Sequence, residues 1–236
     1  MRWSRAKEIP RGVGATKIQE CEFPDDLLYD AEGMTWAREE SGGRVLVGIT
    51  SIQAAVAGKL TSVLGKPAGV LYARGEGIGA LESGRYFGIV RTPVRGLLVA
   101  VNEAVLQKPK LLSEAPYSDG WFARLRAEEW AAASRALKSA DAARELLKSQ
   151  IDALRVRCFA AFPDYEMYEI GVECAAVLVK LNELLGQMEP GEVVHIVSDD
   201  WTAPVEMARW SEETGQPVID SRTEGTLYHY LVRKVG

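Results

Sequence analysis

Cys174 is the side chain in this sequence best placed for nucleophilic chemistry. It stands three residues after Gly171 and opens a segment, Cys174–Met188, whose apolar spacing reads as a helix. The first turn of a helix leaves backbone amides unpaired and carries the positive end of the dipole, and both favour a thiolate. Cysteines in that position are where depressed pKa values and nucleophilic sulfur are found. The adjacent Glu173 opposes the effect, so its net direction stays open. The competing reading is a small buried hydrophobe at a strand–helix junction.

The remaining groups with chemical potential are read more plainly. Cys158 can act as a resolving thiol if folding brings it to Cys174, with a structural cysteine as the alternative. Cys21 lies in the other half of the chain, with no partner in view. His195 alternates with Val194 and Ile196 on a strand, and His229 sits between Tyr228 and Tyr230, so both read as sheet histidines. With only two histidines, no His-rich metal site is expected. Asp199 and Asp200 suggest paired carboxylates, yet they precede a helix beginning near Trp201, and N-capping explains them better.

The elements that must position these residues fall into two regimes. Residues 1–20 mix Gly, Pro, Arg and Lys without periodicity and read as a flexible arm or irregular edge. Residues 21–126 are rich in short β-branched runs broken by Gly and Pro, such as Arg44–Thr50, Ile89–Val94 and Leu97–Val101. They predict a small barrel or sandwich, with one helical turn or two at Ser51–Gly58. Residues 127–150 are Ala-rich, lack Gly and Pro, and predict a helical connector. From Ile151 the order becomes βαβαββ: a strand at Tyr165–Ile170, the Cys174 helix, a strand at Val193–Val197, a helix at Trp201–Thr214 stopped by Gly215, and two closing strands joined through Glu224 and Gly225. That order makes a two-layer α/β sandwich with both helices on one face.

Composition sets the outer limits. The 236 residues are 47% hydrophobic and 26% charged, which excludes wholesale disorder. No apolar run reaches the roughly 18 residues of a membrane span, and the start lacks a signal-peptide core. Three scattered cysteines do not make a secreted disulfide framework, so a cytoplasmic protein is expected. Net charge is -5, and residues 151–236 carry fifteen acidic against seven basic side chains. That half disfavours nucleic acid and suits a partner with a basic face, unless the charge serves only solubility.

Residues 21–126 resemble the glycine-cleavage H-protein family in Val47–Thr50, Leu81–Ser83, Thr92–Gly96, Val101–Ala104 and Ala115–Trp121. The resemblance implies an all-β barrel sandwich of the lipoyl/biotinyl-carrier type. The opening Cys21–Asp26 looks closer to H-like lipoate-binding proteins of sulfur metabolism. In the family a lysine follows Glu-Ser-x at a hairpin tip and carries lipoate; here the tip reads Glu82, Ser83, Gly84, Arg85, with no lysine within ten residues. A guanidinium keeps its proton and cannot form that amide in the ordinary way. Lipoate is therefore not expected. Arg85 is read either as an anion contact for a carboxylate, sulfur oxyanion or partner, or as a solvated turn residue.

Residues from about 165 resemble the TusA/SirA-like sulfur carriers, through Gly171–Cys174, Met188–Val193, Ser198–Asp200 and Leu227–Lys234. In that family a Cys-Pro-x-Pro motif carries a persulfide between proteins. Spacing to Pro190 assigns the role to Cys174, although Ala175 and Val177 stand where the prolines would be. The pair of resemblances implies a fusion: residues 21–126 an H-like barrel, 127–150 a helical connector, and 151–236 a sulfur-carrier domain. The expected function is a sulfur relay on Cys174, with the barrel docking the chain. Its partners would be sulfur donor and acceptor proteins, and lipoyl-dependent or sulfur-oxidation machinery, with no metal or organic cofactor. The alternative is a non-catalytic scaffold with both ancestral sites degenerate.

Overall fold

The computed structural model describes residues 13–236 in two compact units, one ending at Cys158 and the other spanning Phe159–Gly236. Among the described residues no helix is long and apolar enough to cross a membrane. Residues 1–12 of the expected arm lie outside the described residues. The rest of the arm is not irregular: Ala15–Ile18 pairs antiparallel with Cys21–Pro24.

In the first unit alternating apolar residues build two sheets around one core. A six-stranded sheet runs in the order Leu28–Asp30, Thr35–Glu40, Arg44–Ile49, Ala123–Ala127, Gly96–Val101, Leu71–Tyr72. A three-stranded sheet of Leu60–Gly65, Gly77–Ser83 and Tyr86–Arg91 faces it. Val47, Ile78, Leu81, Val90, Leu98, Phe122 and Leu125 are fully buried in their shared core. The helix foreseen at Ser51 spans Ser51–Ala57, where the Thr50 hydroxyl accepts from the Gln53 amide and Gly58 ends it at positive φ.

The expected helical connector over 127–150 is not one helix. Ala123–Ala127 is a core strand, Trp130–Ala133 and Ser134–Ala136 are single turns, and only Arg144–Ala153 is a regular helix. Alanine richness gave this stretch helical propensity but too few apolar anchors to hold one long helix. Ala140, Ala143, Leu147 and Ile151 instead join a second core with Phe23, Tyr29, Trp36 and Tyr117. The segment is thus part of the first unit, and the division falls after Cys158 instead of after Gln150.

The second unit has the expected βαβαββ order. Its strands Tyr165–Glu169, Val193–Ser198, Leu227–Arg233 and Val218–Glu224 lie side by side in that spatial order, the first two parallel and the others antiparallel. The helices Cys174–Leu185 and Ala203–Thr214 bury Val177, Leu181, Met207 and Trp210 against Val194, Ile196, Tyr230 and Val232. Gly215 stops the second helix in the left-handed region at φ 70°, its amide donating to Ser211 O.

Candidate functional site

Parallel pairing is what brings the site together. Glu169 is in register with Ser198, so the two strands end level and release their loops side by side. In open α/β sheets the crevice beyond the carboxyl ends of parallel strands is the usual place for a site. An open cleft of about 570 Å³ lies there, lined by residues 171–175, 199–202 and Glu206. Gly171 makes the first loop possible at φ 72°, and its amide donates to Asp199 Oδ1 at 2.8 Å.

Cys174 sits at the first position of its helix and lines the cleft, yet only 2% of its surface is exposed. Its backbone amide is not left for the sulfur. Asp200 Oδ2 accepts from it at 2.6 Å, while Oδ1 accepts from the Thr202 amide and hydroxyl at 2.8 Å each. The Thr202 amide, the Cys174 amide and the Thr202 hydroxyl together hold the Asp200 carboxyl below its ordinary range. Burial, with Asp200 and Glu206 nearby, pushes the Cys174 thiol from 9.0 up to about 11. The direction left open by the sequence therefore resolves to a protonated thiol at neutral pH.

The carboxylate pair does more than the expected capping of a helix at Trp201. That helix begins at Ala203 with no side-chain cap bond from Thr202. Asp199 and Asp200 reach across to the other loop instead, and Asp200 caps the Cys174 helix from a distance of 26 residues in sequence. Nothing in the spacing of the two segments announces this; only the register of the parallel strands does.

Cys158 is not available as a resolving thiol. It is bonded to Cys21, 137 residues away, and both sulfurs are buried in the second core of the first unit. Cys174 is the free cysteine. The histidines are sheet residues as expected, but they also meet. His195 Nε2 lies 3.0 Å from His229 Nδ1, on the sheet face away from the helices, with Phe159 packed on His195 at 4.5 Å between ring centroids. The register pairs His229 with Val197, which sets the two rings diagonally across neighbouring strands.

Arg85 occupies a hairpin tip, as the resemblance to the H-protein family implied. Ser83 pairs with Tyr86, leaving Gly84 and Arg85 as the two-residue turn. The exposed Arg85 side chain passes over Gly58, where an added Cβ would lie 3.1 Å from its Nε. Pairing of Leu60 with Ser83 also brings the Gly58–Lys59 corner beside this tip, a proximity that linear spacing hides. The tip itself offers a guanidinium where a lipoyl amide would need an amine, so its residues do not fit that group.

Comparison with known proteins agrees with both halves. The family model for the glycine cleavage H-protein matches residues 27–150, and the model for sulfurtransferase TusA matches residues 169–234. Glycine cleavage system H protein 2 of Aquifex aeolicus is 35% identical over 147 residues, covering 61% of this chain and 91% of that protein. H protein 5 of the same organism is 34% identical over 146 residues, covering 60% and 98%. A crystal structure of a glycine cleavage system H protein from Mycobacterium marinum covers 57% of this chain and all of its own, at 25% identity and a TM-score of 0.45. With the H-protein match spanning more than half of the 236 residues, the chain belongs to the glycine cleavage H-protein family and carries a TusA domain fused behind it.

Proposed function

We propose that this protein is a sulfur carrier that holds sulfane sulfur as a persulfide on Cys174, with its H-like domain serving as a docking module that does not carry lipoate. The observation that carries the reading is a free cysteine in the first turn of a helix, lining an open cleft within the TusA-matching region. Transfer would be thiol exchange. The Cys174 thiolate attacks the outer sulfur of a donor persulfide, its S–S bond forms as the donor's breaks, and the donor leaves as a thiolate. The thiol proton goes to solvent. A later acceptor thiolate removes the sulfur by the same step.

The docking role of the barrel is supported by Leu64, Phe87 and Ile89, which share the outer face of the three-stranded sheet and are 59%, 69% and 38% exposed. A cytoplasmic location is part of this proposal; there the burial of Cys21 and Cys158 would shield their bond from reductants. The second reading, a non-catalytic scaffold, is favoured by one observation: Cys174 is buried, which disfavours its thiolate.

Intact mass with peptide mapping separates the two. After incubation with a persulfide donor, the Cys174 peptide is expected to gain sulfur that dithiothreitol removes, and Cys174→Ser is expected to lose the gain entirely. A wild-type protein that gains nothing, with Cys174 also resistant to alkylation when folded, would leave the scaffold reading standing.

A further inference from the structure

The rim of the Cys174 cleft has a composition that a solvated surface does not need. Trp201 stands at its edge with 82% of its surface exposed, and Val205, in the first turn of the following helix, is 70% exposed. A large aromatic left in water is costly and is the residue type most enriched among interface anchors. Around it lie Glu173, Asp199, Asp200 and Glu206, and none of the residues lining the cleft is basic. The whole second unit, residues 159–236, carries fourteen acidic and five basic side chains. Its field is therefore negative at the cleft that the buried Cys174 lines.

We propose that this rim is the docking surface for a partner protein that presents its sulfur-bearing cysteine among basic and apolar side chains, with Trp201 as the anchor. The inference rests on the sulfur-carrier reading and adds the chemistry of the partner. Charge complementarity selects a basic face. It also gives docking a chemical consequence, because a partner cation paired with Asp200 and Glu206 neutralises the two carboxylates that disfavour the Cys174 thiolate. A free protein in solution keeps its thiol protonated. The right partner carries the cation that changes this.

The test uses the full chain and two synthetic probes, the peptides Arg-Leu-Cys-Leu-Arg and Glu-Leu-Cys-Leu-Glu, each activated as a 2-thiopyridyl disulfide. The neutral reagent 2-hydroxyethyl disulfide is the reference, and labelling is read at the Cys174 peptide by mass. At low ionic strength the Arg peptide is expected to react about a hundredfold faster than the Glu peptide, a difference that shrinks toward parity in molar salt. Trp201→Ala is expected to lower the ratio of the Arg-peptide rate to the hydroxyethyl disulfide rate about tenfold. Equal rates for the two peptides, or an unchanged ratio in Trp201→Ala, would overturn the docking inference while the reference reaction keeps the carrier reading alive. Failure of Cys174 to react with any of the three probes would sink both.

Discussion

Alkylation of Cys174 by iodoacetamide in the folded protein is expected to accelerate about a thousandfold between pH 7 and pH 10, where an ordinary cysteine levels off near about 8.5. Only the thiolate reacts, and burial together with Asp200 and Glu206 moves its formation up to about 11. The population of thiolate, and hence the rate, then rises roughly tenfold per pH unit across the whole range. The same shift sets the direction of a stability effect. The folded thiol titrates later than its ordinary 9.0, so its contribution to stability is complete below that value and is lost as pH rises toward about 11. Asp200→Asn is expected to raise the rate at pH 8 by about tenfold, the effect of one pKa unit. It also lowers the unfolding midpoint, because the NH2 group that replaces one carboxylate oxygen cannot accept, and either the Cys174 or the Thr202 amide then faces a donor. A profile that flattens near neutral pH would show that the helix end, and not the carboxylate, governs the sulfur.

Replacing Cys158 by serine is expected to destabilise the first unit by about 2–5 kcal/mol. The Cys21–Cys158 bond spans 137 residues, and a long closed loop removes much of the freedom of the unfolded chain. Cys21→Ser is expected to cost the same, and the double variant no more than either, because a single bond is lost in all three. Urea unfolding monitored on the native protein and the variants measures this. Sulfur loading on Cys174 is expected to persist in Cys158→Ser, the outcome a resolving thiol would not allow. Variants as stable as the parent, or three titratable thiols in the unreduced native protein, would remove the bond from the account.

The fold was legible where periodicity was strong and where local chemistry punctuates it. The βαβαββ order, the stop at Gly215 and the helix at Ser51–Ala57 follow from alternation, a left-handed glycine and a threonine cap. The hairpin tip at Arg85 came from the resemblance to the H-protein family, and the pairing of Ser83 with Tyr86 agrees with it. The stretch 127–150 misleads because alanine favours a helix without specifying which face is buried, and packing against Phe23 and Trp36 decided otherwise. That error hid the disulfide as well. A boundary at residue 150 assigns Cys158 to the second domain and separates it from Cys21, whereas the actual division after Cys158 puts both in one core. The Asp200 bond to Cys174 was beyond reach for a different reason. It depends on two parallel strands ending level, and strand register is a tertiary property with no local signature.

The bond between Cys21 and Cys158 makes a covalent ring of almost all of the first unit. A protease that cuts the exposed Ser41–Gly43 turn, or any other turn inside the ring, therefore opens a loop without releasing a fragment. Both pieces stay joined through sulfur, and the piece bearing Cys158 still leads into the TusA domain. A cut chain of this kind migrates as one molecule until a reductant is added, so intactness on a non-reducing gel says nothing about whether its backbone is whole.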